Sequence, residues 1–266
     1  MKLGGFGLMQ HYQAIAQAGY DYAELDLPEL ENLEESAFVK FKDEVTATGL
    51  PVLTGARLLP VTDPIFMRAG FEPMDFAPYL KHACARAASL GIGKIIMGNG
   101  KARSLGQPDD LQNEGTFVHF LQLICDIAAD NGLEFILEPL GPKYSNYLNT
   151  LPQAAAVLEK VKRPNAFLMA DLRHMLWSEE DLADLSAYRA LIHHVHVDYP
   201  RSFPARGYPR PSDDYDYGDF IAALKASGYD DTLTIEADFP DDWHQAHDLA
   251  MQVLAPLFQS PLYNIK

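Results

Sequence analysis

Glu138, Asp171, His196 and Glu236 are four side chains of metal-ligand type, and each lies at or next to the C-terminal end of a short apolar run. The runs are Leu133 to Leu137, Ala166 to Ala170, Leu191 to Val197 and Thr232 to Ile235. Short apolar runs bounded by polar or Pro-containing segments read as buried strands. Three carboxylates and one imidazole make an oxygen-rich site for one divalent ion. Mn2+, Mg2+ or Co2+ suit such a set, and Zn2+ is permitted. Without a cation, three carboxylates in one place are hard to keep ionised.

Strand side chains alternate between two faces. If Asp171 faces inward, so do Met169 and Phe167. If His196 does, so do His194 and Asp198, while Val195 and Val197 face outward. Glu236 shares a face with Thr234, and Glu138 shares one with Ile136. One periodicity therefore lets the four ligand types converge. His194 lies one layer deeper, as a ligand, a group behind a ligand or a hydrogen-bonded core histidine. His193 is expected to point toward the helices. His244 and His247 read as incidental histidines on the last helix.

The elements that must position these groups recur along the whole chain. Strands are expected at Leu3 to Met9, Tyr20 to Leu27, Pro51 to Leu58 and Ile92 to Met97, followed by the four runs above. Helices lie between them, and five end on a glycine shortly before a strand: Gly19, Gly49, Gly91, Gly132 and Gly228. Glycine there takes the left-handed conformation that stops a helix. Thr150-Leu151-Pro152-Gln153 reads as a capping box, and Ser178 to Asp181 as the start of another helix. Eight strand-helix units of roughly thirty residues close a parallel sheet. The fold class is α/β, a (β/α)8 TIM barrel, as a single domain over residues 1–266. Chemistry in such a barrel sits at the C-terminal ends of the strands. A doubly wound sheet is the alternative, but neither a Gly-x-Gly-x-x-Gly after the first strand nor a P-loop is present.

Composition narrows the partners. The formal net charge of -16 repels phosphate backbones and anionic membranes. No apolar run approaches the length of a membrane span, and Met1 to Gly5 has no signal-peptide core. The expectation is a cytoplasmic protein without nucleic-acid or membrane partners. Cys84 and Cys125 read as buried thiols rather than a disulfide framework.

The motifs between Leu137 and Glu236 carry a resemblance. Glu138-Pro139-Leu140 with Asn146-Tyr147-Leu148-Asn149-Thr150, then Asp171-x-x-His174-Met175, His196 and Ile235-Glu236 resemble the sugar phosphate isomerase/epimerase superfamily of xylose isomerase-like TIM barrels. The nearest type is the ketose 3-epimerase of the tagatose and psicose kind. The resemblance implies Glu138, Asp171, His196 and Glu236 as ligands of one divalent ion. It implies that His174 holds a substrate hydroxyl and that an arginine after the metal histidine grips the far substrate oxygens. Arg201 is the nearest match, with Arg206 and Arg210 in the same long loop. Glu24 on the second strand is implied as a substrate contact. Phe6, Trp177 and Tyr199 are aromatic candidates for a substrate wall.

The implied chemistry is proton transfer beside a ketone through an enediolate, on a small sugar or sugar-like keto substrate. Glu138 and Glu236 would act as the acid/base pair from opposite faces, with His174 beside them. A homo-oligomer is common among look-alikes. Hydroxypyruvate-type isomerase and inosose-type dehydratase chemistry are alternatives on the same barrel. An endonuclease IV-like DNA repair enzyme would need histidines where Arg57 or Leu58 and Gly98-Asn99-Gly100 stand. A non-catalytic scaffold need not retain a divalent metal, whereas an enzyme of this kind should lose activity with chelator. A phosphorylated substrate would need a cationic pocket, for which Arg57, Lys101, Arg103 and the Arg201 to Arg210 loop are the candidates.

Overall fold

A computed structural model describes residues 1–259. Eight strands close in sequence order into one barrel: β1 (Lys2–Gly7), β2 (Tyr22–Asp26), β3 (Val52–Ala56), β4 (Lys94–Met97), β5 (Glu134–Leu137), β6 (Ala166–Asp171), β7 (Ile192–Val197) and β8 (Thr232–Ile235). Every neighbouring pair is parallel, β8 with β1 included. This is the (β/α)8 barrel that the alternation of elements implies. Among the described residues no helix is long and apolar enough to cross a membrane.

The helical stops fall where glycine was expected. Gly49 and Gly91 sit at φ +81° and +91°, and each amide bonds back into the last turn, at Val45 and Ala88. Thr150 caps the helix Leu151–Val161, with its hydroxyl accepting from the Gln153 amide at 3.3 Å. Other boundaries differ. The second strand ends at Asp26, whose carboxylate accepts the Glu29 amide at 2.8 Å and starts the helix Leu27–Glu31. Ser178 to Asp181 does not open a helix: Glu180 reaches back to accept the Leu151 amide at 2.7 Å. The short helix that follows is Asp184–Ala187.

The barrel interior divides into two halves. Ile96, Ile136, Met169 and Phe167 make an apolar half under β4 to β6. Tyr22, Glu24, Thr54, His194, Thr232 and Thr234 make a buried polar half. Tyr22 reaches over β1 to meet the Thr234 hydroxyl at 2.6 Å. Its ring fills the space above Gly4, where a Cβ would lie 2.3 Å from it.

One irregularity alters the reading of β7. Its pairing with β6 steps from Leu168↔Ile192 to Met169↔His194, so His193 is an extra residue. The bulge corrects the expectation for His193. Instead of facing the helices, its ring stacks on inward-facing Phe167 with centroids 3.5 Å apart and meets Glu134 at 3.0 Å. His247 is also not an incidental surface residue. It is buried, and its Nδ1 lies 2.8 Å from the Tyr20 hydroxyl. Cys84 and Cys125 are free and buried, and burial pushes both thiols up to about 12. They are inert at neutral pH.

Candidate metal centre

Each of the four ligand-type residues is set by the sheet itself. The Glu138 amide donates to Met97 O at 3.1 Å, and the Glu236 amide to Val197 O at 3.2 Å. Both residues thus extend the ladder by one bond beyond the last residue of β5 and β8. Asp171 ends β6 level with His196 on β7. It divides its carboxylate between two tasks: Oδ1 accepts the His174 amide at 3.1 Å and caps the helix Leu172–Trp177, while Oδ2 faces the centre. This explains the Asp-x-x-His spacing, because one helical turn brings His174 back over Asp171. That helix was not recognised in the sequence, although an N-cap aspartate was its visible signal.

Donor atoms of Glu138, Asp171, His196 and Glu236 all lie within 4.8 Å of one another. His196 Nδ1 is 3.9 Å from Glu138 Oε1, 3.8 Å from Asp171 Oδ2 and 3.1 Å from Glu236 Oε2. His174 Nε2 approaches from the side, 3.6 Å from Glu138 Oε1 and 3.8 Å from Asp171 Oδ2. Glu138 Oε1, His196 Nδ1 and both ring nitrogens of His174 are buried without a hydrogen-bond partner. Buried polar atoms are normally paired, and here Glu138 Oε1, His196 Nδ1 and His174 Nε2 face one another across the cluster. The donor set and these orphan atoms fit a divalent cation.

The electrostatics agree. In the protein alone, burial and then the Glu236 carboxylate push Glu138 up to about 8. At Glu236 burial is outweighed by Arg206 and His196, which hold it below the usual range. At Asp171 burial is outweighed by His174, Arg206 and His196. Burial drives His174 down to about 4, so its ring is neutral at pH 7. Burial also opposes charge on His196, but Glu24 and Glu236 outweigh it and raise the ring well above its usual value. The cluster is short of positive charge, and Glu138 is the member that cannot ionise easily without more.

The long loop after β7 supplies an arginine, and it is Arg206. Its guanidinium lies 2.6 Å from Asp171 Oδ2, 2.8 Å from Glu236 Oε2 and 3.1 Å from Asp198 Oδ2. Arg201 points elsewhere, to Asp214 at 2.6 Å on the surface. Arg210 is exposed, and its amide bonds Asp213 at 2.7 Å. Tyr199 likewise turns to Asp214, at 2.7 Å. Asp198, in phase with His196, is taken by Arg173 at 2.5 Å, and this pair is fully buried. Arg173 also binds Tyr199 O and the Ser202 hydroxyl, both at 2.9 Å, and so ties the loop to the barrel. The Arg173 and Asp198 pair was missed in the sequence, where nothing local links the two.

Glu24 is fully buried beneath the cluster, between His194 and His196, and does not reach the mouth. Trp177 stands beside His174 in an aromatic wall. It stacks on Tyr144 at 5.6 Å, Tyr144 meets the His174 ring edge-on at 5.0 Å, and Phe203 packs against both. On the other flank is a cavity of about 380 Å3, lined among others by Phe6, His11, Arg57, Arg206, Glu236 and Phe239. Arg57 is ion-paired with Asp26, and Arg103 is buried with its guanidinium on Gly98 O and Leu148 O at 2.9 and 3.2 Å. Neither is an uncommitted cation.

Comparisons with known proteins bear on this arrangement. A family model described as xylose isomerase-like TIM barrel matches residues 12–257. L-ribulose 3-epimerase of Methylomonas sp. (strain DH-1) is 28% identical over 257 residues, which cover 90% of this chain and 86% of that protein. A provisionally named hydroxypyruvate isomerase of Xenopus laevis is 32% identical over 164 residues, 58% of either chain. The crystal structure of a D-allulose 3-epimerase from Methylomonas sp. with D-allulose superposes with a TM-score of 0.79 at 24% identity, covering 97% of this chain and 96% of that one. At that identity the likeness speaks for the fold.

Proposed function

The chain belongs to the xylose isomerase-like TIM barrel family, and from that premise we propose that it is a divalent-metal-dependent sugar epimerase, acting by proton transfer at a carbon beside a ketone. One observation carries the reading. Three carboxylates and an imidazole meet within 4.8 Å, with Glu138 Oε1 and His196 Nδ1 buried and unpartnered. The 3-epimerase relative supports the reaction class. Glu138, Asp171, His196 and Glu236 would hold one Mn2+, Mg2+ or Co2+ ion, with Zn2+ permitted. Such an ion, when bound, supplies polarisation of a carbonyl and positive charge beside the oxygens where negative charge develops.

The chain's own residues do the rest. Glu138 and Glu236 end strands on opposite flanks of the cluster, β5 and β8. One carboxylate takes the proton from the carbon next to the carbonyl, leaving an enediolate. The other returns a proton to the opposite face, which inverts that carbon. Two carboxylates on two faces are what epimerisation requires, whereas a 1,2-isomerisation needs one base on one face. His174, neutral and with both nitrogens unpaired, holds the reacting oxygen. Arg206 holds an oxygen further along the substrate. Tyr144, Trp177 and Phe203 close the site on one side and exclude water. The fixed placement of these groups by the strand ends supplies much of the rate.

The reading is tested by incubating ketopentoses and ketohexoses with the protein and Mn2+ in D2O. The expected product is the 3-epimer carrying one deuterium at C3. Exchange at that carbon without inversion overturns the two-base scheme, and the absence of both exchange and product from every ketose overturns the epimerase. The Xenopus relative favours a second reading, isomerisation of a keto acid. Conversion of hydroxypyruvate with all ketoses left unchanged selects it.

A further inference from the structure

Among the described residues a second group of ligand type, Glu24, His194 and His196, also has donor atoms within 4.8 Å of one another. It is not a second cation site, because its atoms are already used. Glu24 Oε2 accepts from the Thr54 hydroxyl at 2.6 Å and the Thr234 hydroxyl at 3.1 Å, and meets His194 Nε2 at 2.9 Å. His194 Nδ1 in turn meets the Thr232 hydroxyl at 2.8 Å. Glu24 Oε1 has one partner, His196 Nε2, at 2.9 Å. No Glu24 or His194 atom is among the buried atoms lacking a partner, whereas His196 Nδ1, on the far side of the shared ring, is.

We propose that Glu24 is a positioning residue: it accepts the Nε2–H of His196 and thereby keeps Nδ1 of that ring turned toward the three carboxylates, as the nitrogen that would donate to a cation. The inference rests on the metal reading above and adds a part to it. A ligand imidazole is commonly held by a carboxylate on its other nitrogen, which sets the tautomer, fixes the ring plane and raises the donor strength of the free nitrogen. Glu24 does this from β2, across the barrel from β7. Burying its charge there is tolerable because four donors surround it. Three of them converge on Oε2, so Oε1 is left to His196 alone. His194 and the two threonines hold the carboxylate so that it can hold the ring.

Glu24→Gln tests this without a change of volume. The amide oxygen takes the position with three donors, and the NH2 group then faces His196 Nε2. That nitrogen must become an acceptor, which moves the ring proton to Nδ1 and closes it to a cation. Titration calorimetry with Mn2+ alone is expected to show affinity weakened roughly 10- to 100-fold relative to wild type. Long-range 1H–15N spectra with one equivalent of Zn2+ are expected to show His196 carrying its proton on Nε2 in wild type and on Nδ1 in the variant. Tight Mn2+ binding by wild type with equal affinity in Glu24→Gln overturns the role of Glu24 and leaves the metal reading standing. No Mn2+ or Zn2+ binding by wild type overturns both. If the variant does not fold, the Zn2+-loaded wild-type spectrum decides, and a proton on His196 Nδ1 there overturns the inference.

Discussion

A Cβ built on Gly98 would lie 2.4 Å from Glu138 Oε2, so the residue that follows β4 and the carboxylate that follows β5 occupy one shared space. Glycine at this position lets the Glu138 carboxylate lie flat against the neighbouring strand end, with Oε1 left for the centre. Gly98 therefore belongs to the site although it has no side chain.

Gly98→Ala is expected to displace the Glu138 carboxylate and lower Mn2+ affinity by roughly tenfold or more, the scale seen when groups that orient ligands are disturbed. The overpacking should cost about 1–3 kcal/mol of stability, so the protein stays folded. Calorimetric titration beside a thermal melt separates the two effects. Unchanged Mn2+ affinity in a folded variant would show that Glu138 is not held by this contact.

Glu138→Gln and Glu236→Gln should each lower kcat by about 10²–10⁴, the usual scale of a lost general acid or base. KM should change less, because His174 and Arg206 remain. Each variant should also lose deuterium exchange into one of the two epimers before the other, since each base serves one face. Near-normal turnover in either variant would sink the two-face scheme.

The Arg173 and Asp198 pair, both fully buried, sets up an asymmetry. Asp198→Ala leaves the Arg173 charge buried and uncompensated, and should cost about 3–5 kcal/mol in urea unfolding. Arg173→Met should cost less, because Arg206 Nε still lies 3.1 Å from Asp198. The reverse order would mean that Arg206 does not compensate Asp198.

Glu180 gives a pH dependence that is remote from the centre. Burial raises its carboxyl from 4.5 to about 7, against the opposing hydrogen bond from the Leu151 amide. The folded state therefore binds this proton more tightly than the unfolded chain does. Its contribution to stability is fully present below about pH 4.5 and is lost as pH rises to about 7. Glu180→Gln removes the titration, and its amide oxygen can still accept from Leu151. Relative to wild type, the variant's Tm should rise across that window and level off above it. A difference that stays flat with pH would show that Glu180 ionises normally in the fold.

Much of this was legible in the sequence because it depends on local periodicity. Strand alternation and helix-stopping glycines are short-range consequences of backbone geometry, and eight repeats of them leave a closed parallel barrel as the natural packing. The same alternation placed Glu138, Asp171, His196 and Glu236 on inward faces at strand ends. The tertiary structure decided what lies across the barrel and along the loops. The bulge at His193 shifts β7 by one residue, which a single strand's pattern cannot register. The partners of Glu24 come from β3, β7 and β8, and they meet it only after closure and stagger of the ring. The choice of Arg206 over Arg201 depends on how a long loop is tied down by Arg173. Residue type and period follow from chemistry within a few bonds, while the identity of a buried side chain's neighbour is set by the path of the whole chain.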